Sequence, residues 1–369
     1  MANKIGSVVA IEPNTGEVLA MISSPTYNPE LLIGRDRAEN FRLLQNDSLK
    51  PIFNRAIMAL YPPGSTFKVV NALIGLQEGV VFPETRYACY GGYTVGRGVG
   101  CHHHASPLNL QQSIASSCNT YYCHVFRNII DNRKYGSIEN GFSNWKQQVE
   151  SFGYGNRLGI DLPNEQKGIV PSVNFYNKYF RKGGWSSLTI ISLSIGQGEL
   201  SATPLQMANL VSAIANKGYY YTPHVVKRIE GISLPDSLYN NKHTVSVDSA
   251  WFKYVIDGMD MAVNGAPGSG NTARIAALPD IRICGKTGTS QNPHGADHSV
   301  FFAFAPKDDP KIAIAVYVEN AGFGATWAAP IASLMVEKYL KDSISRPSLE
   351  DYILNANLLD RRGKKKQNN

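Results

Sequence analysis

The chain has 369 residues with a formal net charge of +7, and 43% of its residues are hydrophobic while only 18% are charged. This composition supports a sizeable core and excludes a disordered chain, and aperiodic glycine, no sustained heptad and only five cysteines exclude collagen-like, coiled-coil and disulfide-scaffold proteins. No apolar stretch approaches the ~20 residues that span a bilayer, and the first residues do not form a signal peptide, so the sequence predicts a soluble chain.

The first residues predict a β-hairpin. The runs Gly6–Glu12 and Glu17–Ile22 are rich in β-formers, and Pro13–Gly16 between them has turn chemistry. Because an isolated hairpin is only marginally stable, we expect it to join a larger sheet.

Helical patterns fill the middle of the chain. Thr203 is a typical N-cap before Pro204, the apolar residues that follow recur at helical spacing, and Gly218 comes after the last turn. Ser106 and Pro107 predict the start of another helix in the same way.

The last third of the chain supplies the partners for the hairpin. Asp280–Lys286, His298–Ala305 and Lys311–Glu319 predict three strands, whose short connections favour antiparallel neighbours. Residues 326–340 predict a helix that packs on them. The fold class is therefore α+β, with an antiparallel sheet from both chain ends, flanking helices and a large helical insertion.

We expect one domain over residues 1–345, with a sheet lobe at about 5–60 and 220–340 and a helical lobe at about 65–219. Residues 346–369 are expected to be a C-terminal basic tail, because five positive charges cluster there: Arg361, Arg362, Lys364, Lys365 and Lys366. A solvated tail is favoured over a lipid-headgroup contact. The charges are not spread over a face with interleaved aromatics, so no nucleic-acid partner is expected.

Ser65 and Lys68, in the first part of the chain, have a spacing that suits nucleophilic catalysis. Ser65 and Lys68 lie three residues apart, which on a helix puts hydroxyl and amine on one face within hydrogen-bonding reach. Lysine is almost fully protonated at neutral pH, so burial and a neighbouring charge such as Lys286 would have to lower its pKa. Ser143 and Lys146 repeat the spacing without the preceding Pro-Gly, and we expect them to lie on a solvated helix face.

Two further motifs follow in order. S-x-N triplets occur at residues 117–119, 172–174 and 290–292, and the first of them comes next after Ser65 and Lys68. A single K-T-G-T motif, Lys286–Thr289, follows later, on a predicted strand. Glycine within that motif allows close approach of a ligand backbone. The ordered set S-x-x-K, S-x-N and K-T-G is the signature of penicillin-binding proteins and class A β-lactamases.

From about Ile5 to Leu340 the chain resembles the transpeptidase domain of a class B penicillin-binding protein, of the elongation-type penicillin-binding protein 2. The matching segments are Val9–Met21, Pro62–Lys68, Ser117–Tyr122, Ser194–Gly198 and Thr203–Gln206. The resemblance implies the penicillin-binding/β-lactamase-like transpeptidase fold and work at the periplasmic face of the cytoplasmic membrane. Relatives begin with a membrane anchor and a pedestal, so we expect this chain to be a truncated soluble form.

The resemblance also implies roles for the motif residues. Ser65 would attack the D-Ala-D-Ala carbonyl of a peptidoglycan stem peptide with Lys68 as base, and β-lactams would acylate the same serine. Ser117 would pass the proton to the leaving amine, and Asn119 would hold Lys68 and the substrate amide. Binding of the terminal carboxylate would fall to the remaining motif residues, Lys286, Thr287, Gly288 and Thr289. A membrane glycan polymerase is the partner that the resemblance implies, and no cofactor is required.

Other functions share these motifs. A D,D-carboxypeptidase would give the acyl group to water, and a non-catalytic β-lactam sensor would only bind. A class A β-lactamase needs a further glutamate that activates water. The glutamates between Asn119 and Lys286 lack the Glu-x-x-x-Asn context of that residue, which argues against a β-lactamase.

Cysteines and histidines gather beside the S-x-N motif. Cys89 and Cys101 flank a glycine-rich loop, three histidines follow at 102–104, and Cys118 lies inside the motif. Thiolates and imidazoles suit a structural zinc ion, with Cys89, Cys101, His104 and Cys118 as ligands. A Cys89–Cys101 disulfide, or free thiols with surface histidines, are the alternatives.

Overall fold

The computed structural model describes residues 1–230 and 239–359. The strands, in chain order, are β1 Gly6–Ile11, β2 Val18–Ser24, β3 Gly92–Tyr93, β4 Val99–Gly100, β5 Tyr219–Tyr221, β6 Lys242–Thr244, β7 Cys284–Ser290, β8 His298–Ala305 and β9 Ile312–Val318. The α-helices are α1 Arg37–Asn46, α2 Arg55–Met58, α3 Lys68–Gln77, α4 Leu110–Ala115, α5 Asn119–Ile130, α6 Ile138–Ser151, α7 Val173–Phe180, α8 Pro204–Ala215, α9 Phe252–Asn264, α10 Ala328–Lys341 and α11 Pro347–Asn355.

Both chain ends build one antiparallel sheet, as the sequence predicts. Its strand order is β2-β1-β9-β8-β7, so β1 lies between its hairpin partner and the last strand of the chain. β7 occupies one edge and carries the K-T-G-T motif. A sheet edge of this kind leaves backbone groups available to a ligand strand.

The strand predicted over Asp280–Lys286 is wrong at both ends, because β7 runs from Cys284 to Ser290. Cys284 pairs with Phe304 of β8, so Arg282 would have to pair with Pro306. Proline has no N–H to donate, and the ladder therefore ends at this point.

Helices cover both faces of the sheet. Val9 and Ile11 of β1 face a core cluster shared with α3, α5, α8 and α9, and this cluster extends as far as Trp145 in α6. Val8 and Ala10 face a second cluster, which α10 and α11 close. The alternation of strand side chains thus produces a helix–sheet–helix arrangement. Both lobes expected from the sequence contribute to the first cluster.

Helix starts follow the capping residues. Thr203 and Gln206 form a capping box at the start of α8, which confirms the predicted N-cap. The helix predicted from Ser106 and Pro107 begins instead at Leu110. Its N-cap is Asn109, whose side chain accepts from the Gln112 N–H. The Ser106 hydroxyl is used elsewhere, as acceptor from the Cys89 N–H.

The packed structure continues past residue 345, the predicted end of the domain. Ile353 of α11 and Leu358 are buried in the second cluster, and the buried Lys4 amine donates to the Ile353 and Ala356 carbonyls. The basic residues from Arg361 to Lys366 lie outside the described residues. Among the helices that are described, none is both long and apolar enough to cross a bilayer.

Candidate active site

Ser65 lies on a short 3₁₀ turn, Gly64–Phe67, that leads directly into α3. The turn packs against β7. Gly64 has a φ of +59°, and a Cβ at this position would lie 2.9 Å from the Thr289 carbonyl oxygen. Only glycine allows this backbone conformation and this approach at little cost, so the serine is fixed beside the K-T-G-T strand.

The Lys68 amine is fully buried and is held by the S-x-N motif. Nζ donates to the Ser117 carbonyl at 2.6 Å, to Asn119 Oδ1 at 2.5 Å and to Ser117 Oγ at 3.2 Å. Burial lowers the pKa of Lys68 to about 8, although nearby cysteines oppose the shift. The S-x-x-K spacing predicts that Ser65 and Lys68 lie within reach of each other, and in the described part of the chain the amine forms these three hydrogen bonds with the S-x-N motif.

Ser117 lies at the tight junction between α4 and α5. Its φ of +55° is in the left-handed region, which a non-glycine residue rarely adopts and which is often found at functional sites. Asn119, the first residue of α5, donates from Nδ2 to the Gly100 carbonyl at 2.6 Å. Both side chains are thereby fixed relative to Lys68.

Lys286 is also fully buried, behind the strand surface. Its Nζ donates to the Thr287 carbonyl at 2.9 Å. Burial lowers the pKa of Lys286 well below its ordinary value, and repulsion from Lys68 adds to the shift. The sequence predicts that a neighbouring cation such as Lys286 helps to lower the Lys68 pKa. Burial accounts for that shift, and the repulsion between the two amines acts on Lys286 instead.

The hydroxyl of Thr287 faces a residue that the sequence did not single out. Thr287 Oγ1 donates to Thr272 Oγ1 at 3.0 Å, and Thr272 in turn donates to the Ala115 carbonyl. The absence of a side chain at Gly288 also allows β7 to pack closely against the segment around Ser65. A Cβ there would lie 3.1 Å from Thr66 and 3.3 Å from the Pro63 carbonyl, in the segment around Ser65.

A cavity of about 500 Å³ lies between β7 and the helical region. It brings together Ser65, Ser117, Asn119, Thr287, Gly288 and Thr289, while Lys68 and Lys286 are buried behind its wall. The lining residues that sequence reasoning missed are His102, Ile195, Gln197, Thr272, Gln291, Asp297 and Phe323–Ala325. Ile195 and Gln197 lie in the matched segment Ser194–Gly198, His102 lies in the histidine run and Gln291 in the third S-x-N triplet, but the others carry no motif that would mark them.

The four predicted metal ligands also converge. The ligand atoms of Cys89, Cys101, His104 and Cys118 all lie within 4.8 Å of one another. His104 Nδ1 is 2.7 Å from the Ala105 carbonyl, so it must be the donor, and Nε2 is left as the metal-binding nitrogen. Nε2 lies 3.4 Å from Cys101 Sγ.

Among the cysteines of this cluster, Cys101 is the one whose surroundings favour the thiolate form. The Cys118 thiol donates to Cys101, which lowers the pKa of Cys101 and raises that of Cys118. All five cysteines are free, so the Cys89–Cys101 disulfide is not formed in this structure. Cys101 Sγ also accepts from the Asn119 N–H at 3.2 Å, which joins the cluster directly to the S-x-N motif.

The second S-x-x-K pair makes separate contacts on α6. Ser143 donates to the Glu139 carbonyl, and Lys146 pairs with Glu150 at 2.5 Å. The two side chains are each half-buried and do not line the cavity.

The sequence matches the family described as the penicillin binding protein transpeptidase domain over residues 6–337. It is 32% identical to the peptidoglycan D,D-transpeptidase MrdA of Acinetobacter baumannii over 374 residues, which covers 92% of this chain and 51% of that protein. The chain thus spans about half the length of the curated relatives it matches.

Solved structures share the fold. PBP2 of Pseudomonas aeruginosa in complex with WCK 5153 has a TM-score of 0.78 at 33% identity, covering 92% of this chain and 72% of that one. The imipenem acyl-enzyme of penicillin-binding protein A from M. tuberculosis has a TM-score of 0.74 at 27% identity, covering 92% and 74%. A structure described as a peptidoglycan synthase complex that coordinates polymerization and crosslinking has a TM-score of 0.78 at 28% identity, covering 92% and 56%.

Proposed function

Because this chain belongs to the penicillin-binding protein transpeptidase family, in its PBP2 type, we propose that it is a serine-type D-Ala-D-Ala transpeptidase module. Its substrates are the stem peptides of peptidoglycan, which it cross-links in cell elongation and shape maintenance. The observation that carries the proposal is one cavity lined by Ser65, Ser117 and the K-T-G-T strand, with the Lys68 amine bound to Ser117 and Asn119 behind it.

In the first step Ser65 Oγ bonds to the carbonyl carbon of the penultimate D-Ala. Lys68 takes the hydroxyl proton, which requires its neutral form, and a pKa of about 8 makes that form far more abundant than for an exposed lysine. The bond to the terminal D-Ala nitrogen then breaks. Ser117, 3.2 Å from the Lys68 amine, passes the proton to the leaving amine.

The negative charge on the carbonyl oxygen needs donors while the tetrahedral intermediate exists. We assign this role to the backbone N–H groups of Ser65 and Thr289, because the Ser65 turn is packed against Thr289. Such donors contribute about 10²–10³ in rate each. The Thr289 hydroxyl binds the terminal carboxylate, and the Thr287 hydroxyl joins it by turning away from Thr272. The bound carboxylate favours the protonated form of Lys286 behind the strand, against the burial that lowers its pKa.

In the second step an amine of another stem peptide attacks the acyl-enzyme and forms the cross-link. Water as acceptor would make the protein a D,D-carboxypeptidase, and a sensor would stop at binding. Among the described residues Asp297 is the only carboxylate that lines the cavity. Glu165, a buried glutamate of the helical region, accepts hydrogen bonds from the Leu158 and Gly159 N–H groups, so it is not placed to activate water as in a class A β-lactamase.

We further propose that the cluster of Cys89, Cys101, His104 and Cys118 holds a structural zinc ion. The donor set fits, because zinc prefers tetrahedral sulfur and nitrogen ligands and one thiol is already acidified. Zinc there would fix the loop that contacts Asn119. Catalysis itself requires no cofactor, and no step passes through the metal.

The proposed partners are β-lactam antibiotics and, for the complete protein, a rod-shape membrane glycan polymerase. Similarity to an acyl-enzyme complex with imipenem and to a complex that couples polymerization to crosslinking supports both. The proposed location is the periplasmic face of the cytoplasmic membrane, where peptidoglycan is built.

Intact-mass measurement after incubation with penicillin tests this function. We expect one covalent adduct per chain, mapped to Ser65 by peptide analysis and absent from Ser65→Ala. An adduct that survives in Ser65→Ala, or that maps to Ser143, would overturn the assignment. An adduct lost within minutes would indicate a hydrolase.

A further inference from the structure

Gln197 lies next to the nucleophile although the two are far apart in sequence. The Gly64 N–H donates to the Gly196 carbonyl at 2.9 Å, and a Cβ at Gly196 would lie 2.2 Å from the Gly64 carbonyl oxygen. The two backbones therefore touch, and the residue that follows each glycine, Ser65 or Gln197, lines the cavity.

The backbone of Gln197 is held firmly. Its N–H donates to the Ser192 carbonyl at 3.0 Å, and a Cβ at Gly198 would lie 2.5 Å from Ser192 Oγ. The 3₁₀ turn before it, Ile191–Ile195, is stabilised by Asn71, whose side chain donates to the Leu193 and Ser194 carbonyls. The side chain of Gln197 thus projects from a rigid support, as a binding group should.

The carboxamide of Gln197 has no partner in the part of the chain that the structure describes, although the residue is only 9% exposed. Ser117, Asn119 and Thr287 of the same cavity already have side-chain partners, Lys68 for the first two and Thr272 for the third. Gln197 therefore remains available to a ligand.

We propose that Gln197 is a substrate-positioning residue. Its Nε2 donates to the carbonyl oxygen of the peptide group on the acyl side of the scissile bond. A peptide carbonyl accepts two hydrogen bonds, and the second comes from Asn119 Nδ2, which has one hydrogen left after its contact with Gly100. Two donors from different elements would hold the acyl donor in line with Ser65. This inference rests on the proposed function and names a specific contact within it.

Two β-lactams separate this contact from a structural role. Penicillin G has an acylamino carbonyl group at the position of the peptide carbonyl in the substrate. 6-Aminopenicillanic acid has the same fused ring system but lacks that carbonyl group. The variant Gln197→Met keeps the shape of the side chain but removes the donor. Second-order acylation rate constants are measured by mass spectrometry for both compounds.

We expect Gln197→Met to lose about fivefold in rate with penicillin G, which corresponds to the loss of one hydrogen bond worth about 1 kcal/mol, and to change less than twofold with 6-aminopenicillanic acid. Gln197→Glu, which keeps the size but lacks the donor, is expected to show the same selective loss. Gln147→Met, an exposed glutamine on α6, is the matched control and should leave both rates unchanged.

Equal losses with both compounds, or no loss with either, would overturn the role of Gln197. Neither result touches the proposed function, because the adduct on Ser65 would still form. Failure of the wild-type protein to be acylated at Ser65 would instead refute the proposed function.

Discussion

The Lys68 amine donates a 2.5 Å hydrogen bond to Oδ1 of Asn119. The other end of the same carboxamide donates to the Gly100 carbonyl, and the Asn119 N–H donates to Cys101 Sγ. Asn119 therefore connects the proposed general base to the glycine-rich loop. Any change that displaces this loop is therefore expected to alter the position of the Lys68 amine through Asn119.

The first prediction is that acylation by penicillin rises with pH. Only the neutral amine of Lys68 can accept the Ser65 proton, and its pKa lies near 8 because the amine is buried. The rate constant should therefore increase about tenfold per pH unit below 8 and level off above it. Acylation measured between pH 6 and 9 checks this.

Lys68→Arg is the control for that profile. Arginine keeps a positive charge but does not lose its proton in this range, so acylation should nearly stop at every pH. A flat profile for the wild-type protein, or an active Lys68→Arg variant, would contradict the role of Lys68 as base.

The second prediction separates the two buried lysines. Lys286→Ala should mainly weaken recognition of the penicillin carboxylate, because the charge lies behind Thr287 and is not bound to Ser117. Lys68→Ala should instead reduce the acylation step even at saturating drug. Progress curves over a range of penicillin concentrations yield the apparent dissociation constant of the drug and the maximal rate constant of acylation. Identical effects of both variants on both parameters would refute this division of roles.

The third prediction concerns zinc. The purified protein should contain about one zinc ion per chain, and Cys101→Ser should lose it, because the four ligands lie within 4.8 Å of one another. Cys123→Ser is the matched control, since Cys123 contacts Ser194 and lies outside the cluster. Metal analysis by mass spectrometry gives the content directly.

Chelation should also slow acylation, since the loop positions Asn119. Metal-free protein with two fewer titratable thiols than its five cysteines would indicate the Cys89–Cys101 disulfide instead. Five titratable thiols without metal would favour free thiols.

The fourth prediction tests the packing of the Ser65 turn on β7. Gly64→Ala should lower the free energy of unfolding by more than Gly79→Ala and should slow acylation. Both glycines have positive φ, +59° and +65°, but a Cβ at Gly79 meets nothing within 4 Å whereas one at Gly64 meets the Thr289 carbonyl. Gly79→Ala thus measures the backbone strain alone, about 1–2 kcal/mol.

Chemical denaturation compares the two variants. If both lose the same stability and Gly64→Ala is acylated normally, the contact with Thr289 does not matter for the position of Ser65.

Hydrophobic alternation, turn residues and capping predicted the strands of the sheet and the α8 cap, because these signals act over a few residues. The contact of Lys68 with Asn119 was expected only from the family resemblance, since the two residues are 51 positions apart. Single side chains that tertiary packing alone brings to the site were not predicted. Thr272 and Asp297 reach the cavity only through tertiary packing, and no motif marks them.

The placement of β1 has a consequence for how the protein is made. Gly6 pairs with Val318, so the second edge of β1 stays unpaired until β9 has been synthesised. Until β9 has been synthesised, the apolar side chains of β1 and its hairpin partner lack most of the sheet on which they are buried. Such long-range pairing slows folding and prolongs the exposure of apolar surface. The unfolded chain is therefore expected to depend on a holding chaperone until β9 is available to pair.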